Sequence, residues 1–185
     1  MSQTKQNDWQ YPIRYGKEKE INTDVLILGG GIAGCWAAIA AAKKGAKVVI
    51  LEVAATMRSG AGGPGCDHWS SAITNNPCCT LTADEWVQAL YESSGGYTNS
   101  MAMYITARES YDILMELEQM GAKVRDTEDE FKGAEFRDEK TKLLFAYDYT
   151  NNHTIRVWGT TFKPVLYKEC KRLGVEVHDR VMATN

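Results

Sequence analysis

Asp24-Val25-Leu26-Ile27-Leu28-Gly29-Gly30-Gly31-Ile32-Ala33-Gly34 is followed, after seventeen intervening residues, by Glu52. The run Asp24–Leu28 is β-branched and aliphatic, and stops at three glycines. A small-residue helical stretch, Ile32–Lys44, comes next and is closed by Gly45 at the position that favours a left-handed backbone. Ala46–Leu51 is a second apolar strand. Strand, glycine turn, helix and strand within one short segment make a βαβ unit of a parallel sheet. In the pattern Gly29-x-Gly31-x-x-Gly34 each glycine has a task. Gly29 permits the tight turn, Gly31 leaves room for a pyrophosphate beside the backbone, and Gly34 lets helix and strand pack closely. The free N–H groups of Ile32, Ala33 and Gly34 and the positive end of the helix dipole then face the anion. Glu52 ends the second strand, where its carboxylate can accept hydrogen bonds from ribose hydroxyls and disfavours a 2′-phosphate, which argues against NADP. A bare glycine triplet also occurs in structural turns; the strand before it, the helix after it and the spaced acid decide for a dinucleotide.

Which dinucleotide is decided further on. Arg58-Ser59-Gly60-Ala61-Gly62-Gly63-Pro64-Gly65 follows the second strand at once. So many glycines let backbone approach a flat ring system, with N–H groups facing the polar edge of a flavin. FAD is therefore the expected cofactor, against the alternative of a surface loop.

The remaining chain alternates helices and loops. Ser59–Pro77 is a loop rich in Gly, Ser, Asn and Pro. Thr82-x-x-Glu85 is a capping box that opens a helix to about Glu92. Asn99 or Ser100 caps a longer helix running to Met120, with Met103, Ile105, Leu114, Leu117 and Met120 on its apolar side. The charged stretch Asp126–Lys142 reads as an exposed loop or hairpin. Phe162–Leu173 is a helix with Pro164 in its first turn and Gly174 at its end, and Val175–Val181 alternates as a strand.

Composition sets the outer bounds. The chain has 185 residues, 44% hydrophobic and 24% charged, with a net charge of −3, which gives no attraction to nucleic acid or an anionic membrane. No apolar run is long enough for a membrane span, and the polar start Met1–Glu20 lacks the apolar region of a secretory signal, so a cytoplasmic location is expected. Residues 1–22 read as a polar N-terminal arm and residues 23–185 as the N-terminal part of an FAD-binding domain. The five cysteines, Cys35, Cys66, Cys78, Cys79 and Cys170, form neither a disulfide framework nor a metal-ligand spacing. They read as structural thiols, with Cys66 the one placed for redox chemistry. His68 beside Asp67 is a candidate proton donor, against the plainer reading of a histidine holding its own loop.

The chain from Thr23 to Val181 resembles the succinate dehydrogenase/fumarate reductase flavoprotein family, nearest its adenylylsulfate reductase α-subunit branch. The resemblance rests on Val25–Gly34 with Glu52, Arg58-Ser59-Gly60-Ala61, Leu117-Glu118-Gln119-Met120-Gly121 and Trp158-Gly159-Thr160-Thr161-Phe162-Lys163-Pro164. It implies an α/β fold, a Rossmann-like FAD/NAD(P)-binding domain with a parallel sheet, incomplete and lacking the capping and substrate domain. It implies Gly29, Gly31, Ile32, Ala33, Gly34, Glu52, Arg58, Ser59, Gly60, Gly62, Gly63 and Val181 as cofactor contacts. Covalent members carry a histidine directly after the Arg-Ser pair; here that position is Gly60, so FAD is expected to be non-covalent. Gly65-Cys66-Asp67-His68-Trp69 looks like an insertion near where substrate meets the flavin. The branch's asparagine after Ser-Ala-Ile is Thr74 here, with Asn75 next, which leaves the substrate open.

The function expected from the resemblance is an oxidoreductase passing electrons between a small substrate and an iron–sulfur partner chain, once other segments or chains complete the site. The alternatives are a stand-alone FAD-binding electron-transfer module and a non-catalytic truncated flavoprotein fragment. From outside the family come an NAD-binding or amine-oxidase-like module and a pure interaction protein. A parallel sheet needs both faces covered, so this piece by itself is expected to leave apolar surface and strand edges exposed.

Overall fold

The computed structural model describes residues 19–184. All but the last four residues of the 1–22 arm therefore lie outside the described residues. The elements run β1 (Val25–Leu28), α1 (Ile32–Lys43), β2 (Val48–Glu52), β3 (His68–Trp69), α2 (Ala83–Ser93), α3 (Ser100–Gln119), β4 (Leu144–Phe145), β5 (Ile155–Arg156), a 3₁₀ turn at Gly159–Thr161, α4 (Phe162–Arg172) and β6 (Glu176–Asp179). The βαβ expectation holds. β1 pairs with β2 in parallel from Val25↔Val48 to Leu28↔Leu51, and β6 joins the other side of β2, also in parallel.

Helices cover one face of this three-stranded sheet. Cys35, Ala38 and Ile39 of α1, Leu166 and Cys170 of α4, and Tyr111, Leu114 and Leu117 of α3 share one core with Val48 and Ile50. On the opposite face, the described residues leave Leu26 54% and Leu28 64% exposed. Leu26 borders a cavity of about 460 Å³ that Val49, Leu51, His178 and Val181 also line. Covering either leucine is worth roughly 1 kcal/mol. The exposed apolar surface expected of this piece is therefore present.

Two helix starts follow the sequence. Thr82 caps α2 in a reciprocal box with Glu85, and the Asn99 side chain, the first of the two expected caps, accepts from the Ala102 N–H at 3.1 Å. The inward stripe of α3 differs from expectation. Ala107, Ser110, Tyr111, Leu114 and Leu117 are buried, whereas Ile105 is 49% exposed because it lies out of phase with that spacing.

Three other expectations are corrected. The 59–77 loop contains β3, which pairs with β5 as His68↔Arg156 and Trp69↔Ile155 and builds a small antiparallel sheet of order β3-β5-β4. The charged stretch after Asp126 is not simply an exposed loop. It folds around the buried Arg137, whose guanidinium meets the buried Asp126 at 2.8 Å and also binds Asp129 and Glu139. The last strand stops at Asp179, and Arg180 turns the chain at φ 61°, so Val181 lies beyond β6 rather than in it.

Candidate functional site

The site gathers at the carboxyl ends of β1, β2 and β6, where open α/β sheets present their crevice. Leaving β1, the chain turns at Gly29 with φ 99°, a conformation that excludes ordinary side chains. Gly31 is the N-cap of α1, at φ −65°, and no side chain caps the helix. The first helical N–H with an acceptor is that of Cys35, which donates to the Gly31 carbonyl at 3.0 Å. The N–H groups of Ile32, Ala33 and Gly34 are thus the free donors of the helix start, and α1 has no acidic residue in its first turn. α2, by contrast, opens on its own acids Asp84 and Glu85. A Cβ at Gly34 would overlap the Gly29 carbonyl, so this glycine holds helix against strand as its spacing predicts.

Arg58–Gly63 folds back over this helix start. Gly60, at φ 80°, faces Gly31 backbone to backbone, since a Cβ there would come within 3.0 Å of the Gly31 Cα. A Cβ at Gly62 would overlap the Ile32 side chain, and one at Gly63 the Arg58 carbonyl. Ser59 is buried, and its Oγ has no hydrogen-bond partner among the described residues. Arg58 is exposed and donates from Nη1 to the Thr160 carbonyl at 3.3 Å. An uncapped helix start, a glycine cradle and an orphaned buried hydroxyl suit a polar, anionic ligand with a flat ring attached, so the residues fit FAD.

Glu52 is 5% exposed, and its two oxygens accept from the Gly30 N–H at 2.6 Å and the Ala54 N–H at 2.7 Å. Burial works to raise its carboxyl, but these two N–H groups, with the Ser59 hydroxyl nearby, outweigh it and hold it below the ordinary value of 4.5. A depressed folded value means stability that is present above that value and lost as the pH falls through the folded one. Glu52→Gln should therefore flatten the acid limb of the stability curve, checked by melting temperature from neutral pH downward.

The structure brings Gly29, Gly31, Ile32, Ala33, Gly34, Glu52 and the 58–63 loop together. Val181 stands past β6, half-exposed, and its N–H donates to the Glu52 carbonyl at 2.9 Å, so that donor is already taken. His68 lies in β3, its Nδ1 2.5 Å from Asp67 Oδ1 and its ring stacked on Tyr147 at 4.5 Å. Burial, and then the Asp67 charge, push the Cys66 thiol up, away from the thiolate that redox chemistry needs. Asn75 donates to Asp112 at 2.9 Å and is thereby tied to α3.

Four residues were missed in the sequence. Gly30 is the buried glycine of the turn, and a Cβ there would meet Thr56. Thr56 donates through its N–H and its hydroxyl to Asp179 at 2.8 and 2.7 Å, which joins the segment after β2 to the end of β6. Lys163, 1% exposed, donates to the Gly30 carbonyl from below. Gly30 carried a local signal as a third glycine in the run, and Lys163 stood within the Trp158–Pro164 stretch without a role assigned to it.

Comparisons with known proteins agree with this geometry. Adenylylsulfate reductase from the hyperthermophilic Archaeoglobus fulgidus superposes with a TM-score of 0.70 at 24% identity, over 88% of this chain and 24% of that one. The Mycobacterium smegmatis Sdh1 complex gives a TM-score of 0.65 at 18% identity, over 85% of this chain and 27% of that one. A flavocytochrome c3 fumarate reductase gives 0.60 at 20% identity, over 85% and 26%. The chain thus shares its fold with these proteins and spans about a quarter of their length. No curated protein matches. Among the described residues no helix is long and apolar enough to cross a membrane. The model of the FAD binding domain family matches residues 24–185, nearly all of this sequence, and the chain belongs to that family.

Proposed function

We propose that the chain is the FAD-binding part of an oxidoreductase of the fumarate reductase, succinate dehydrogenase and adenylylsulfate reductase type. The single observation that carries this is the uncapped, acid-free start of α1 facing the Gly60–Gly63 backbone, with Glu52 beside it. When bound, FAD supplies a ring that accepts hydride and releases single electrons. The chain's own residues bind and orient. The N–H groups of Ile32, Ala33 and Gly34 hold the diphosphate, and Gly29 and Gly31 keep side chains away from it. Glu52 takes the ribose hydroxyls, and Arg58, Ser59, Gly60, Gly62 and Gly63 line the ring. The Val181 carbonyl faces the adenine edge. The position after Arg58-Ser59 is Gly60, which has no side chain to attach a flavin, so FAD is held non-covalently.

In the same proposal, the substrate is small, and an iron–sulfur chain takes the electrons. Residues 23–185 are the N-terminal part of the FAD-binding domain, and further segments or chains cover the open face beside Leu26 and Leu28. His68 is the proton-donor candidate, although its bonding to Asp67 and Tyr147 favours the role of holding β3 in place. The test is the visible spectrum of the purified protein, then acid precipitation and assay of the supernatant. Flavin bands at equimolar ratio, with all the FAD released by acid, are expected. A colourless protein that takes up no added FAD would refute the reading, and flavin retained in the precipitate would refute the non-covalent part.

A further inference from the structure

Lys163 is the second residue of α4 and one of the most completely enclosed side chains of the fold, at 1% exposure. Burying an ammonium is costly unless its donors are satisfied. Among the described residues no carboxylate lies within ion-pair reach of it. Its Nζ donates instead to the Gly30 carbonyl and lies 3.3 Å from the Cys35 sulfur. Gly30 is therefore gripped at both ends, its N–H by Glu52 at 2.6 Å and its carbonyl by Lys163, with the Cys35 thiol as a second, weaker donor to that carbonyl at 3.4 Å that a serine would retain.

The consequence follows from peptide geometry. The Gly30 carbonyl and the Gly31 N–H belong to one trans peptide, in which they point in opposite directions. With the carbonyl drawn inward to Lys163, the Gly31 N–H must point outward, to the open start of α1. A cation on the carbonyl also polarises the same peptide and strengthens its N–H as a donor. Resting on the FAD reading above, we infer that Lys163 is a positioning residue for the cofactor diphosphate, acting from behind the turn through the Gly30–Gly31 peptide.

The Cys35 thiol needs separating from this role. The Cys170 side chain first, and then Lys163, draw it below the ordinary thiol value against the opposing effect of burial. Lys163 is thus tied to a core thiol as well as to the turn. Two variants of the full chain distinguish the two attachments. Lys163→Met keeps the length and removes the charge, whereas Cys35→Ser keeps the bond from Lys163 to Gly30.

The test is titration with FAD and with ADP, alongside melting temperature and the amide proton shift of Gly31 in the cofactor-free protein. Lys163→Met should bind both ligands about tenfold more weakly than the original chain. Its Gly31 amide proton should move upfield and its melting temperature stay close to that of the original, since a buried charge gives way to a similar apolar volume. Cys35→Ser should stay within about twofold of the original affinity. Unchanged affinity and an unmoved Gly31 signal in Lys163→Met would overturn the inference and leave the FAD reading standing. Equal losses in both variants would overturn it too, in favour of core packing around Cys35. An original chain that binds neither FAD nor ADP would overturn the FAD reading itself, and this inference with it.

Discussion

In a Gly31→Asp variant, FAD affinity should fall roughly a thousandfold while thermal stability holds level or rises slightly. The two effects have opposite signs because position 31 has two tasks. It is the N-cap of α1, at φ −65° in extended backbone that any residue adopts, and it has no side-chain cap. Aspartate is a better N-cap than glycine by a few tenths of about 1 kcal/mol, and its charge suits the helix dipole. The space permits it, since a Cβ there meets nothing closer than the Gly60 Cα at 3.8 Å. The same carboxylate, however, takes the N–H groups meant for the diphosphate. Two unit charges 4 Å apart repel by about 4 kcal/mol at an effective dielectric of 20, close to three decades of affinity. Melting temperature and FAD titration on the same sample check both halves. Lost stability with unchanged FAD affinity would mean that Gly31 serves the turn alone.

The second large effect concerns stability rather than binding. Arg137→Met should lower the melting temperature by about 10 °C. The guanidinium is enclosed with Asp126, Asp129 and Glu139 around it, and Asp126 itself is buried. Removing the cation strands that carboxylate with only the N–H groups of Glu130 and Phe131, at 2.9 Å each. Burial works to raise the Asp126 carboxyl, and those N–H groups together with Arg137 outweigh it and hold it below its ordinary 3.8. Its contribution is therefore present above that value and lost as the pH falls through the folded one. Arg137→Met should accordingly weaken the acid dependence as well as the stability. Adding Asp126→Asn should recover part of the loss, because the buried charge is then gone. Thermal melts of the two variants at neutral and acid pH decide; a double variant no better than the single one would refute the ion-pair account.

How much of this was legible depends on how far apart the interacting residues stand. β1, α1 and β2, the α2 capping box and the cradle of Gly29, Gly31, Gly34 and Glu52 were all readable. Each is written in spacings of a few residues, and backbone hydrogen bonds within a helix or its cap are equally local. The boundary of the last strand was not, because Arg180 turns out of it at φ 61° although Val181 keeps the alternate spacing of Val175 and Val177. Nor was the Arg137 cluster, since a run of alternating charges looks the same whether solvent or a buried partner receives it.

The sequence by itself therefore determined the parallel βαβ unit, the glycine turn and the acid that follows it, because turn sterics and helix periodicity act between near neighbours. Tertiary structure alone decided that Lys163, 133 residues from Gly30, lies beneath that turn, and that Asp179 ties down Thr56 from 123 residues away. Folding sets such pairs side by side through packing of α4 and β6 on the sheet, and nothing in the spacing of the chain encodes which buried donor meets which carbonyl.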